Sequence, residues 1–364
     1  MRVLMSGGGT AGHIYPALTV AGRLADGGHD VAFVGTPHGL EARLVPEAGI
    51  EFFSVPSKGF DRSRPWTLLT AGLTVLASLM RAIALVRRYH ADVVAGFGGY
   101  VSLPMGVAAV LTRTPLVLAE QNSVPGLANR VLSRWAHAVG VTYEDSRAHL
   151  KRPERAVLTG NPVRSAVLVA DRVVGRMALE LPAAALVLLV FGGSRGARHI
   201  NDTMVALWPH LVDIDGLQVV HVAGRIEAAS VQERIEAAGD PEGRYHVFEY
   251  LDGMGDAIAA CDAIVARAGA TSIAEITAIG RAAVLVPYPY ATDDHQTLNA
   301  RAVGEGGGAI VVADSELEMP AFEEALRGLL TDAGLRERMA AASKALGRPH
   351  AVQELAALIT GAAR

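Results

Sequence analysis

The sequence predicts an α/β protein made of two doubly wound, Rossmann-like domains in tandem. Three observations predict it. Short apolar runs alternate with helical stretches along the 364 residues, the pattern of a parallel sheet with helices on both faces. The alternation is interrupted by turn chemistry at Gly160-Asn161-Pro162-Val163-Arg164 and then restarts. The opening is also repeated: Val3-Leu4-Met5-Ser6-Gly7-Gly8-Gly9-Thr10-Ala11-Gly12 and Leu188-Leu189-Val190-Phe191-Gly192-Gly193-Ser194-Arg195-Gly196-Ala197 are each strand, glycine loop, helix. Residues 1–163 are therefore expected to form one domain and residues 164–364 the second, with the last helix packing back on the first. Ligands bind such sheets at the carboxyl ends of the strands, so the two glycine loops are expected to face one another across a cleft.

In order along the first domain, the expected strands are Arg2–Ser6, Val31–Val34, Val93–Ala95, Leu116–Ala119, Ala138–Val141 and Ala156–Leu158, with a helix near His13–Asp26 after the first glycine loop. In the second they are Leu186–Phe191, Val219–Val222, His246–Phe248, Ala263–Val265, Ala283–Val286 and Ala309–Val312. Helices at Ala321–Leu330, Leu335–Leu346 and Ala351–Ile359 follow.

Composition narrows the function. At 51% hydrophobic and 19% charged residues the chain is globular, and 5% aromatics argue against a stacking platform for nucleic acid. A single cysteine, Cys261, in an apolar stretch fits a reducing compartment and an inert buried thiol. The start of the chain runs directly into a strand without a basic-then-apolar leader, so a cytosolic protein is expected. Charge is uneven: 16 basic against 11 acidic side chains over residues 1–163, and 17 against 26 over residues 164–364. A basic first half suits an anionic membrane surface or a phosphorylated acceptor.

The densest chemistry lies between Ile264 and Asn299. Gly269 breaks the chain before an apolar-periodic segment, Ile273, Ile276 and Ile279. That puts Ala270, Thr271 and Ser272 at a helix start, where free N–H groups and the helix dipole favour an anion. Glu275 falls in the first two turns; a carboxylate there suits the paired hydroxyls of a ribose, and equally complements the dipole. Gly7-x-Gly9-x-x-Gly12 matches a dinucleotide fingerprint, but the second strand closes on Val34-Gly35-Thr36 with no acid for a nicotinamide ribose. His13-Ile14 stands where a phosphate-binding Walker loop needs Lys and Ser or Thr. Asp213-x-Asp215 lies before Gly216 and reads as a turn rather than a metal site, and no His/Cys cluster has zinc spacing.

Arg267-x-Gly269-Ala270-x-x-x-x-Glu275, then Pro287 and Gln296-x-x-Asn299, resembles the nucleotide-sugar signature of two-domain, GT-B type glycosyltransferases, and is most similar to the MurG enzymes. Gly8-Gly9-Thr10-Ala11-Gly12-His13, Gly98-Gly99-Tyr100-Val101-Ser102-x-Pro104, Glu120-Gln121-Asn122, Thr159 to Arg164 and Gly192-Gly193-Ser194-x-Gly196-Ala197 resemble further segments of that family, in its order. Ala11 stands where many members have a second glycine, which disfavours positive φ there.

The resemblance implies an inverting transfer of N-acetylglucosamine from UDP-N-acetylglucosamine to the lipid-linked muramoyl-pentapeptide of peptidoglycan synthesis, and through it a part in cell shape and division. It implies that Thr10, Ala11 and Gly12 contact substrate, that Ser194 and its loop meet the diphosphate with Arg164 and Asn122 reaching in, and that Glu275 takes the ribose. Leu251 would present its backbone to the uracil, residues Ala270, Thr271, Ser272, Ile273 and Ala274 would line diphosphate and ribose, and Gln296 would meet the sugar hydroxyls. An arginine and a helix start can take the leaving charge, so no cofactor or metal is expected. For the general base two candidates stay open: His13, at a helix start that favours the neutral imidazole, and Glu120, at a strand end.

Trp66 to Val86 is almost wholly apolar, with Leu79 among its expected surface residues and Arg62, Arg64, Arg81, Arg87 and Arg88 around it. It is too short before Arg81 to span a bilayer. It reads either as a buried helix or as a face entering the boundary of an anionic membrane, the second placing the protein peripherally on the cytoplasmic face, near other cell-wall synthesis proteins. Two other functions share these features: a UDP-N-acetylglucosamine 2-epimerase, and a non-catalytic UDP-sugar-binding protein.

Overall fold

The computed structural model describes residues 1–56, 68–193, 197–240 and 242–363, with side chains in the third helix from residue 76 onward. The chain divides into two compact units, Met1–Arg164 with Pro349–Arg364, and Ser165–Arg348.

The first unit is a seven-stranded parallel sheet: β1 (Arg2–Ser6), β2 (Asp30–Gly35), β3 (Glu51–Ser54), β4 (Val93–Gly96), β5 (Leu116–Glu120), β6 (Ala138–Val141) and β7 (Ala156–Leu158), in the order β3-β2-β1-β4-β5-β6-β7. Alternate residues along each central strand serve two cores. Val3, Met5, Val93, Ala95, Val117 and Ala119 pack against α1 (Ala11–Asp26) and α15 (Ala351–Ala362). Leu4, Val94, Leu116, Leu118, Val139 and Val141 pack under α3 (Leu68–Tyr89), α4 (Ser102–Thr112) and α5 (Leu127–Leu132). Burial on both faces is why these strands read as continuous apolar runs. The edge strand β3, Glu-Phe-Phe-Ser, was not expected: it is exposed at both ends and carries only Phe52 and Phe53. Its chain enters from the short helix α2 (Glu41–Glu47).

Leu79 does not face outward. It packs on the core beside Ala82 and Val86, which share its side of α3 at helical spacing, while Leu76 and Met80 are more than half exposed.

The second unit begins with two short helices, α6 (Ser165–Leu168) and α7 (Arg172–Ala178). Its six parallel strands are β8 (Leu186–Phe191), β9 (Leu217–Val222), β10 (Tyr245–Phe248), β11 (Ala263–Arg267), β12 (Ala282–Val286) and β13 (Ala309–Val311), in the order β10-β9-β8-β11-β12-β13. Helices α8 (Arg198–Leu211), α9 (Ala228–Ala238) and α13 (Pro320–Thr331) cover one core, built around Trp208, Leu326 and Phe322. Helices α10 (Met254–Ala260), α11 (Ala270–Ile279) and α12 (His295–Glu305) cover the other, and α14 (Ala333–Leu346) follows α13. Cys261 is fully buried there, and burial pushes its thiol up to about 12, which keeps it unreactive. Asp213 lies in a turn and pairs with Arg327.

Candidate active site

Strand order fixes where ligands can enter. In each sheet the order reverses once, between β1 and β4 in the first unit and between β8 and β11 in the second. Chain leaving neighbouring strands in opposite directions opens a crevice at their carboxyl ends.

At the first reversal two glycine loops meet backbone to backbone. One runs from β1 through Gly7, Gly8 and Gly9 into α1; the other runs from β4 through Gly98 and Gly99 into α4. A Cβ on Gly99 would lie 2.3 Å from the Gly8 carbonyl oxygen, and its φ of +81° already favours glycine. Gly98, at φ +93°, backs on His13: a Cβ there would lie 3.0 Å from Cδ2 and 3.1 Å from Nε2. Ala11 opens α1, and the positive φ of this loop falls at Gly9, so a methyl group at position 11 is accommodated. No side chain caps α1 and no acid stands in its first turn, which leaves the Ala11 and Gly12 N–H groups at its open end.

His13, in that first turn, places Nδ1 3.2 Å from the Gly8 carbonyl oxygen and 3.1 Å from Thr10 Oγ1. A carbonyl only accepts, so in the neutral ring Nδ1 carries the proton and Nε2 is the basic nitrogen. Beneath the loop, the buried Glu41 accepts from the Thr36 N–H and hydroxyl, and a Cβ on Gly8 would come within 2.5 Å of its Oε1. Sequence reasoning missed this brace; the lone acid after Gly39-Leu40 was its only trace.

Glu120 is used differently. It is buried, and both oxygens are occupied: Oε1 accepts from the Asn122 N–H at 3.0 Å and its Nδ2 at 3.4 Å, Oε2 from the Gly126 N–H at 3.0 Å and Asn129 Nδ2 at 2.8 Å. The carboxylate fastens the loop between β5 and α5, and with it Asn122. Arg164 ends the first stretch of the first unit with its guanidinium 5.5 Å from the Tyr15 ring centroid, a cation–π contact with the helix that carries His13.

At the second reversal α8 follows β8, and α11 follows β11. Ser194 lies outside the described residues. Gly269 is the N-cap of α11, with no capping side chain and no acid in the first turn. The Thr271 hydroxyl is buried there with no protein partner. Such an orphan donor beside free helix amides suits an anionic ligand. Ser272 and Ala274 are half-buried on the same helix; Ala270 and Ile273 are buried, and Ile273 belongs to the core, so it can offer a ligand only backbone. Glu275 is buried in the second turn. Asn299, fully buried, reaches the Ala268 carbonyl at 3.5 Å and ties α12 to the turn before α11. Gln296 accepts the Tyr288 N–H through Oε1 at 2.9 Å, which directs its amide N–H groups elsewhere. Leu251 follows β10 with its side chain against the core.

Comparison with known proteins follows this division. Residues 3–141 match the glycosyltransferase family 28 N-terminal domain, and residues 187–355 match its C-terminal domain. A UDP-N-acetylglucosamine--N-acetylmuramyl-(pentapeptide) pyrophosphoryl-undecaprenol N-acetylglucosamine transferase from Halothermothrix orenii is 38% identical over 369 residues, 100% of both chains. The crystal structure of Acinetobacter baumannii MurG superposes with a TM-score of 0.81 at 31% identity, over 99% of each chain. A UDP-GlcNAc 2-epimerase from Neisseria meningitidis, bound to UDP-GlcNAc, reaches a TM-score of 0.70 over 99% of this chain and 100% of that one, but at 15% identity the likeness is one of fold alone. With both halves of family 28 in place and full-length kinship to its N-acetylglucosamine transferases, the chain belongs to the MurG family of glycosyltransferases.

Proposed function

We propose that the protein transfers N-acetylglucosamine from UDP-N-acetylglucosamine to the C4 hydroxyl of muramoyl-pentapeptide on undecaprenyl diphosphate, with inversion at the anomeric carbon. One observation carries the donor half: α11 starts without a cap or an acid and holds the orphan Thr271 hydroxyl. That start is suited to the diphosphate of a UDP-sugar. Glu275 takes the ribose, the Leu251 backbone the uracil, Gln296 the sugar hydroxyls, and Ser194 and Asn122 the remaining donor contacts. The first unit supplies the base. Nε2 of His13 accepts the proton of the attacking hydroxyl, and Thr10, Ala11 and Gly12 hold the acceptor beside it. As the bond to UDP breaks, the departing charge is met by Arg164 and the start of α11, without a metal.

The lipid-linked acceptor calls for a membrane surface. Among the described residues no helix is long and apolar enough to cross a membrane. Along α3, α4, α5 and the chain just after α4 and α5, Leu76, Met80, Leu111, Leu127 and Trp135 are exposed, as are Arg81, Arg87, Arg88, Arg113 and Arg134. Exposed apolar side chains and arginines on these elements suit peripheral docking on anionic lipid at the cytoplasmic face.

The test is labelled UDP-N-acetylglucosamine with a lipid-diphosphate muramoyl-peptide, followed by product analysis. A β-linked disaccharide on the lipid is expected. Epimer released without acceptor would point to an epimerase, and donor binding with no product to a binding protein.

A further inference from the structure

A partly buried network of paired side chains joins parts of the second unit that are distant in sequence. Asp314 follows β13, and its side chain is 16% exposed. Its Oδ1 lies 2.5 Å from Arg267 Nη1, and its Oδ2 lies 2.8 Å from His199 Nδ1. Arg267 is the last residue of β11, with its side chain 9% exposed. Its Nη1 also donates to the Pro287 carbonyl at 3.2 Å, and its guanidinium lies 5.6 Å from the Tyr288 ring centroid. His199 is the second residue of α8, with Nε2 3.6 Å from Glu318. Burial raises the Asp314 carboxyl, but the hydrogen bond with His199 and the ion pair with Arg267 outweigh it and hold the group below its ordinary value.

The two partners are informative. His199 stands in the first turn of α8, and Arg267 leads through Ala268 into Gly269, the N-cap of α11. These helices start from the neighbouring strands β8 and β11, on either side of the sheet's reversal. One carboxylate in the turn after a third strand therefore ties the two starts together. A largely buried carboxylate paired on two sides resists displacement, because moving away from one partner leaves that partner without it.

We propose that Asp314 is a positioning residue that sets the separation of the α8 and α11 starts and thereby the affinity of this unit for a nucleoside diphosphate, an inference that rests on the donor reading above. It touches no substrate; it acts through Arg267 and His199.

The test is UDP affinity of the full chain by calorimetry. Asp314→Asn keeps the shape and removes the charge, and is expected to weaken UDP at least about tenfold. The donor KM should rise in step, with kcat within about threefold and acceptor KM unchanged. Asp314→Glu should recover part of the loss. In a His199→Asn background, Asp314→Asn should cost clearly less than in the wild type, because the bridge is already broken on one side. A role confined to stability would lower Tm and leave UDP affinity unchanged in the still-folded protein. If Asp314→Asn does not fold, His199→Asn, which leaves Arg267 paired, carries the test: it should weaken UDP severalfold. UDP affinity within twofold of wild type in whichever of these variants folds overturns the inference. Glu275→Ala, measured alongside, separates the two readings: if it weakens UDP and the Asp314 variant does not, only the positioning role falls, and if neither weakens UDP, the donor site itself is misplaced.

Discussion

His13 turns its Nδ1 toward the Gly8 carbonyl oxygen, 3.2 Å away, while Gly98 lies against the opposite side of the ring, where any Cβ would come within 3.1 Å of Nε2. The first glycine loop thus fixes the tautomer, and the second leaves room beside Nε2, the nitrogen proposed to accept the proton. Removing a general base costs about 10²–10⁴ in rate. His13→Ala should lower turnover at least about a hundredfold with UDP affinity unchanged. Gly98→Ala should also lower kcat, because it crowds Nε2 and strains a φ of +93°. Steady-state kinetics with calorimetric UDP binding checks both; full activity in His13→Ala would exclude the ring as base.

Glu120→Gln separates a base from a brace. Four donors point at the carboxylate, and an amide would turn its own NH2 against two of them. The expected result is a loss of about 1–3 kcal/mol in stability, a modest fall in activity, and an unchanged acid limb of the pH–rate profile. Disappearance of that limb would transfer the base role to Glu120.

On the donor side, Glu275→Ala should weaken UDP binding by about 1.5–3 kcal/mol, the worth of a charge-assisted pair of bonds. Thr271→Val, which replaces the orphan hydroxyl by a methyl group, should weaken UDP by about 1 kcal/mol without lowering Tm, since no protein bond is lost. Calorimetry against UDP alone distinguishes these effects from those on catalysis.

Acid should loosen the second unit through His221. The ring is buried in β9 between Tyr245 Oη at 2.8 Å and Asn201 Oδ1 at 3.0 Å, and burial pushes its pKa down from 6.5 to about 3. The unfolded chain takes up the proton below about 6.5 and the folded one does not. Stability is therefore complete above that pH and falls toward pH 3, by roughly 1.4 kcal/mol per pH unit. Urea unfolding of His221→Gln should show a shallower slope between pH 6 and 4, by about one proton, and identical slopes would remove His221 as the cause.

The membrane face is tested at Leu76 and Met80. Met80→Glu and Leu76→Glu should reduce sedimentation with anionic vesicles at low salt and leave Tm within about 2 °C, as exposed positions allow. Leu79→Glu should instead destabilise the protein, because it would put a charge into the core of the first unit. Wild-type protein that ignores such vesicles would end the proposal.

The legible part of this fold was the part written in local pattern. Doubly buried strands such as Val93–Gly96 and Ala263–Arg267 are continuous apolar runs, and glycine loops mark the strand ends beside them. β3 escaped because an edge strand with two phenylalanines carries too little pattern. Side-chain direction was equally hidden: Leu79 and Met80 look alike in sequence, and only the turn of α3 separates core from surface. The site was legible as loops and a helix start, while its braces were not. Asp314 and Arg267 stand 47 positions apart, Glu41 and Gly8 33, and no spacing rule connects either pair.

α15 completes a core whose other members were made long before it. Val352, Leu355 and Ile359 close the side of the first sheet formed by Val3, Met5, Val93 and Val117. The second unit, by contrast, is one uninterrupted run of chain from Ser165 to Arg348. During synthesis the segment made later therefore has all its parts first, and the segment made first waits for residues 351–362. The amino-terminal sheet spends that interval with this apolar side covered by α1 but not by α15, a state that invites chaperone binding on the ribosome. Birth order and finishing order are reversed in this chain.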